Sequence, residues 1–67
     1  MYVFPKRLRE LMEEQHLSQH QLSKSTNISQ ASIARWLSDE RRPGIDSLIV
    51  LADYFKCSID YLVGRED

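Results

Sequence analysis

Cysteine, glycine and proline are scarce in this chain, with one, two and two copies in 67 residues, and each scarcity removes a class of protein. The lone Cys57 forms no intramolecular disulfide, which fits a reducing compartment, and it reads as a small hydrophobe ahead of a helix cap rather than as a metal ligand. Two glycines do not make a glycine-rich phosphate loop. No apolar run approaches the roughly 18 residues of a membrane span, and residues 1–5 are too short for a signal peptide and are followed by charge. The expectation is a soluble, cytoplasmic protein with no membrane partner. No nucleophile–base set and no carboxylate pair in a pocket can be assembled, so no enzyme activity is expected. His16 and His20 stand four apart, but the helix is expected to break at Leu17-Ser18 between them and no cysteine or carboxylate completes a ligand set, so neither metal nor cofactor is expected.

Charge of one sign is lacking too, since the net charge is −1. Its distribution is uneven. Residues 1–42 carry seven Lys or Arg against five Asp or Glu, whereas residues 43–67 carry two against five. Between residues 19 and 38 there are Lys24 and Arg35 and no acid. A neutral-to-basic surface on an acidic body permits local attraction of phosphate, with weaker non-specific binding than a strongly basic domain would have.

What is present is helical spacing, centred on residues 19–38. Ser18 with Gln21 three positions on is a capping box, which predicts a helix from about Gln19 anchored by Leu22. Asn27 is the non-glycine residue best able to turn the chain at positive φ, Ile28 plugs the turn into the core, and Ser29 is a second N-cap. The next helix runs over 30–37. At about 100° per residue, Ile33, Trp36 and Leu37 fall on one side, and Gln30, Ala31, Ala34 and Arg35 on the other. Trp36 shares the phase of Ile33 and is assigned to the core.

Before this unit, Pro5 starts a helix whose apolar stripe is Phe4, Leu8, Leu11, Met12 and Gln15, with Lys6, Arg9, Glu10 and Glu13 on a solvated face. Lys6, Arg7 and Arg9 are within reach of a nucleic-acid backbone. After it, residues 39–44 form a loop and Gly44 caps a fourth helix, in which Ile45, Leu48, Ile49, Ala52 and Phe55 are expected to face inward with Leu51 at the edge. Val50 and Tyr54 fall outside that face as an exposed apolar pair. Ser58 caps a short fifth helix over 59–63, Ile59 and Leu62 close the core, and Gly64 ends it. Tyr61 and Val63 extend the Val50/Tyr54 patch, and residues 65–67 are expected to fray. One domain over residues 1–67 is the expected organisation, an all-α bundle of five helices rich in local contacts.

The pattern Gln19, Leu22, Asn27, Ile28, Ile33 and Trp36 resembles the helix-turn-helix of the Cro and phage-repressor type, the XRE family. Leu8-Arg9-Glu10-Leu11 is similar to that family's first helix. Arg42-Pro43, Leu48, Leu51-Ala52, Tyr54-Phe55 and the run from Asp60 through Arg65 are similar to its last two helices, so the likeness covers nearly the whole chain. It departs where the family usually has Gly at Asn27, Ala at Ser23, and Glu-Asn-Gly in place of Leu37-Ser38-Asp39. The resemblance implies a lambda-repressor-like fold and a DNA-binding role.

The residues themselves suit that role. A helix enters the major groove, where each base pair presents a distinct set of donors, acceptors and methyls. Gln30 can bond adenine in two places, Arg35 can bond guanine O6 and N7, the methyls of Ala31 and Ala34 allow close approach to thymine, and Ser32 lies on the flank. Backbone contacts are assigned to Gln19, Lys24 and Ser29 on one side and to Ser38, Arg41 and Arg42 on the other. Two bidentate contacts per subunit discriminate too little for a genome, which calls for a homodimer on a two-fold operator. By resemblance, that dimer forms through the C-terminal part of the domain, where Val50, Tyr54, Tyr61 and Val63 lie. The expected function is a sequence-specific double-stranded DNA-binding transcriptional regulator, a repressor whose occupancy is set by concentration and an antagonist protein. The alternative is a protein-interaction module, such as the antitoxin of a toxin–antitoxin pair or an antagonist of another regulator.

Overall fold

The computed structural model describes residues 2–66 and contains, among them, five helices and no strand. They are α1 (Phe4–Glu14), α2 (Gln19–Thr26), α3 (Gln30–Leu37), α4 (Ile45–Phe55) and α5 (Ile59–Val63). Local chemistry accounts for their starts. Pro5 occupies the first turn of α1, where its missing N–H leaves no bond unmade. The capping box of α2 is complete: Gln21 N–H donates to Ser18 Oγ at 3.1 Å, and Ser18 N–H donates to Gln21 Oε1 at 2.8 Å. Ser29 and Ser58 accept from the third-residue N–H of α3 and α5 at 3.1 and 2.9 Å.

The helix ends follow a rule that the scarcity of glycine makes unusual. His16, Asp39, Lys56 and Gly64, at the ends of α1, α3, α4 and α5, all have positive φ. At each of these ends the next residue's N–H reaches back five positions: Leu17 to Met12 O, Glu40 to Arg35 O, Cys57 to Ala52 O and Arg65 to Asp60 O, at 2.8–3.0 Å. This is the Schellman closure, and only one of its four left-handed positions is glycine. A side chain with a Cβ is strained there by about 1–2 kcal/mol. Lys56→Gly, at an exposed position with φ 56, is therefore expected to raise stability by about 0.5–1 kcal/mol. Chemical denaturation checks this; an unchanged or lower midpoint would refute the strain.

The core joins one stripe from each helix: Phe4, Leu8, Leu11 and Met12, then Leu22, then Ile33 and Trp36, then Leu51, Ala52 and Phe55, then Leu62. Helix α3 packs on α1 and α2, α5 packs on α1 and α4, and α2 touches α4. Edge-on packing of Phe4 against Trp36, with ring centroids 6.1 Å apart, ties α1 to α3. Ile28, Ile59 and Cys57 pack partly buried against this core. Burial pushes the Cys57 thiol pKa up, and the nearby Glu66 carboxylate adds to the effect.

Three expectations are corrected. In α4 the inward stripe is Leu48, Leu51, Ala52 and Phe55, with Leu51 fully buried, while Ile45 and Ile49 are 62% and 45% exposed. The helix is apolar around more than half its circumference, and the bundle covers a stripe rotated from the expected one. Gln15 is exposed, because α1 ends at Glu14 before the stripe reaches it. Arg65 and Glu66 do not fray: Arg7 Nη1 donates to Tyr61 O at 3.1 Å and Glu66 O at 3.0 Å, and Ser58 Oγ donates to the Glu66 carboxylate. Asp67, the last residue of the segment expected to fray, lies outside the described residues.

Candidate nucleic-acid interface

The turn between α2 and α3 sets the direction of the presented helix. Asn27 adopts φ 61 and ψ 22, and its N–H closes on Ser23 O at 2.8 Å. Two hydroxyls hold the turn from within: Ser23 Oγ donates to Ile28 O at 2.6 Å, across the corner, and Thr26 Oγ1 donates to Leu22 O at 2.7 Å. Ser23, which stands where the family usually has alanine, is thus a brace that joins α2 to the residue leading into α3.

The far end of α3 is held by a residue from α1. Arg9 Nη2 donates to Leu37 O at 3.0 Å, a last-turn carbonyl of α3. Arg9 and Leu37 are 28 positions apart, so no local signal in the sequence announces this bond. Arg7, considered above as a backbone contact, is instead directed to the end of α5, where its guanidinium also lies 4.2 Å from the Tyr61 ring centroid.

With Ile33 and Trp36 buried, the opposite side of α3 faces out. Gln30, Ala31 and Arg35 are exposed, while Ala34 and Ser32 are half-buried. Ser32 is partly committed to the cap, since Ser29 Oγ donates to Ser32 Oγ at 2.9 Å. Of the residues assigned to flank this face, Gln19 at the start of α2 is half-buried and Lys24 at its last turn is exposed. The capping box takes the N–H groups of Ser18 and Gln21 and does not use those of Gln19 and His20.

Beyond α3, Ser38, Arg41 and Arg42 are exposed. Ser38 Oγ donates to Glu40 Oε2 at 2.7 Å and lies 3.2 Å from Arg35 O. Arg42 rests on the ring of Tyr2, its guanidinium carbon 3.9 Å from the centroid. Burial pushes the Tyr2 phenol pKa up; the Arg42 charge opposes that shift and Asp39 adds to it.

The remaining assigned residues lie on the α4–α5 side. Val50 is 38% exposed, and Tyr54, Tyr61 and Val63 are half-buried. Tyr54 packs edge-on against Phe55 with centroids 5.0 Å apart. The larger exposed apolar groups here are Ile45 and Ile49, which join Val50 on α4. Both histidines are exposed, His16 just past α1 and His20 in the first turn of α2, and no three His, Cys, Asp or Glu residues come together among the described residues.

Comparison with known proteins places this geometry. The profile of the family described as helix-turn-helix matches residues 8–62. Among curated proteins, the chain is 29% identical over 65 residues to an uncharacterized HTH-type transcriptional regulator, YobD, of Bacillus subtilis, covering 97% of this chain and 58% of that protein. It is 30% identical over 64 residues to the HTH-type transcriptional activator BcrR of Enterococcus faecalis, covering 96% of this chain and 31% of that one. Among solved structures, a transcriptional regulator from Listeria innocua superposes with a TM-score of 0.88 at 37% identity, covering 100% of this chain and 63% of that one. The chain thus spans less than two thirds of the length of each of these proteins.

Proposed function

This chain belongs to the helix-turn-helix family, in its XRE type, and from that premise we propose that it is a sequence-specific regulator of transcription that reads double-stranded DNA with α3 in the major groove. The observation that carries the reading is the division of α3, with Ile33 and Trp36 buried and Gln30, Ala31 and Arg35 exposed on the other side. Base selection falls to Gln30 and Arg35, with Ala31, Ala34 and Ser32 shaping the close approach. Gln19, Lys24 and Ser29 before the reading face and Ser38, Arg41 and Arg42 after it hold the phosphates and set the register. Residues 1–67 act as one domain, and occupancy of an operator gives repression.

Selection from a random duplex pool at two salt concentrations tests this. A palindrome with half-sites about 34–36 Å apart, bound more weakly at high salt, is the expected product. No enrichment at either salt would end the reading.

The same proposal holds that two copies pair through α4 and α5 around Val50, Tyr54, Tyr61 and Val63. Val50→Asp places a charge on an already exposed site, so the fold should survive while the dimer does not. Sedimentation should then show a monomer, with operator affinity reduced tenfold or more; an intact dimer would move the interface elsewhere.

A protein-interaction module is the second reading, and the exposed Ile45, Ile49 and Val50 on α4 favour it. The occupant would be an antagonist protein or the toxin of a toxin–antitoxin pair.

A further inference from the structure

Tyr2 precedes α1 and has no part in the interface described so far, yet it lies under one of the residues assigned to the DNA backbone. We propose that Tyr2 is a positioning residue for Arg42, holding its guanidinium flat and ready for a phosphate of the bound duplex. This rests on the DNA-binding reading above. Arg42 is exposed in the connection between α3 and α4, with its guanidinium carbon 3.9 Å from the Tyr2 ring centroid. The Tyr2 ring leans on Phe4 with centroids 6.4 Å apart, and Phe4 packs edge-on against Trp36 of α3 at 6.1 Å. An unbroken row of planar groups therefore runs from Arg42 to the buried side of the reading helix. The aromatic contacts that tie α1 to α3 also set where this cation rests.

The chemistry of the two groups makes the arrangement productive. A guanidinium attracts the face of an aromatic ring with its own face, whereas its N–H donors lie in its plane. Stacking thus leaves the donor edge available to a phosphate, and binding need not first restrict a long, flexible side chain. The hydroxyl adds a second clue: Tyr2 Oη is buried and has no hydrogen-bond partner among the described residues. A tyrosine placed for its hydroxyl would satisfy it, so the ring is the part in use.

The test compares dissociation constants of the full chain, its Tyr2→Leu, Tyr2→Phe and Arg42→Ala variants and the Tyr2→Leu/Arg42→Ala double variant. The probes are the duplex recovered by selection and an unrelated duplex of equal length. Tyr2→Leu keeps an apolar side chain and should weaken binding about three- to fivefold on both duplexes, the loss expected for one exposed cation–π contact. Tyr2→Phe should restore the wild-type affinity. In the Arg42→Ala background, Tyr2→Leu should have no further effect. Equal losses with and without Arg42, or a loss for Tyr2→Phe as large as that for Tyr2→Leu, would overturn the positioning role. If Tyr2→Leu does not fold, Arg42→Lys on the intact ring reads the same coupling: it keeps the charge but not the flat stack, and undiminished affinity would overturn the proposal. A wild-type chain that binds neither duplex overturns the DNA-binding reading and this proposal together, whereas binding without coupling overturns this one alone.

Discussion

Replacing Trp36 with alanine is expected to cost about 3–5 kcal/mol of folding stability, the range for a large aromatic side chain removed from a core. Trp36 is 3% exposed and meets Phe4 edge-on. A domain of this size has only about 3–10 kcal/mol in total, so the loss takes up about a third of its stability or more. At roughly 4–8 °C per kcal/mol, the melting temperature should fall by well over 10 °C. Helical circular dichroism followed through a thermal scan measures this. A fall of only a few degrees would mean that the indole is not a core element, and the assignment of the opposite side of α3 to DNA would lose its basis. Operator binding should be lost at temperatures where the variant is unfolded and retained in part where it still folds, because the indole itself touches no base in this arrangement.

Arg35→Ala should have the largest effect of any substitution on the presented face. The side chain is exposed in the last turn of α3, and a bidentate contact of arginine with guanine discriminates by about 1–3 kcal/mol. A dimer makes that contact twice, so affinity for the selected operator should fall tenfold or more while affinity for unrelated DNA changes little. Gln30→Ala should relax preference at a different base, since Gln30 lies at the opposite end of the helix. Arg41→Ala is the internal contrast: exposed in the following loop, it should weaken binding to all sequences alike and reduce the salt slope by about one phosphate per subunit. Titrations of operator and random duplex at several salt concentrations separate the two patterns. If Arg35→Ala lowers both affinities equally and Arg41→Ala changes base preference, the two roles are reversed.

Both expectations rest on features that the sequence displays with unusual clarity. The capping box at Ser18 and Gln21, the positive-φ turn at Asn27, the caps at Ser29 and Ser58 and the stop at Gly64 all depend on one to four neighbouring residues, and each lies where the local chemistry puts it. The phase of Ile33 and Trp36 separates the core side of α3 from its presented side for the same reason. Three further helix ends were partly visible. His16 and Lys56 are each followed by an apolar residue, Leu17 and Cys57, the hydrophobic partner that accompanies a Schellman closure; histidine is among the non-glycine residues enriched at positive φ, whereas lysine is not. Asp39 tolerates that conformation and has no such follower.

The sequence by itself therefore determined the helices, their caps and the face that α3 turns outward, because these depend on backbone groups and side chains within a turn or two of each other. The tertiary structure alone decided what depends on distant partners. Helix α4 offers two overlapping apolar stripes, and only the position of its neighbours buries Leu51 and leaves Ile45 and Ile49 outside. Arg9 and Leu37, Arg7 and Glu66, and Arg42 and Tyr2 are pairs separated by 28 positions or more in sequence, so arginines that read as a solvated face or as contacts for a nucleic-acid backbone become a brace for α3, a tether for the chain end and a cation resting on an aromatic ring. Helical periodicity carries information over about two turns; which arginine meets which carbonyl or ring is set by how five helices close around one core.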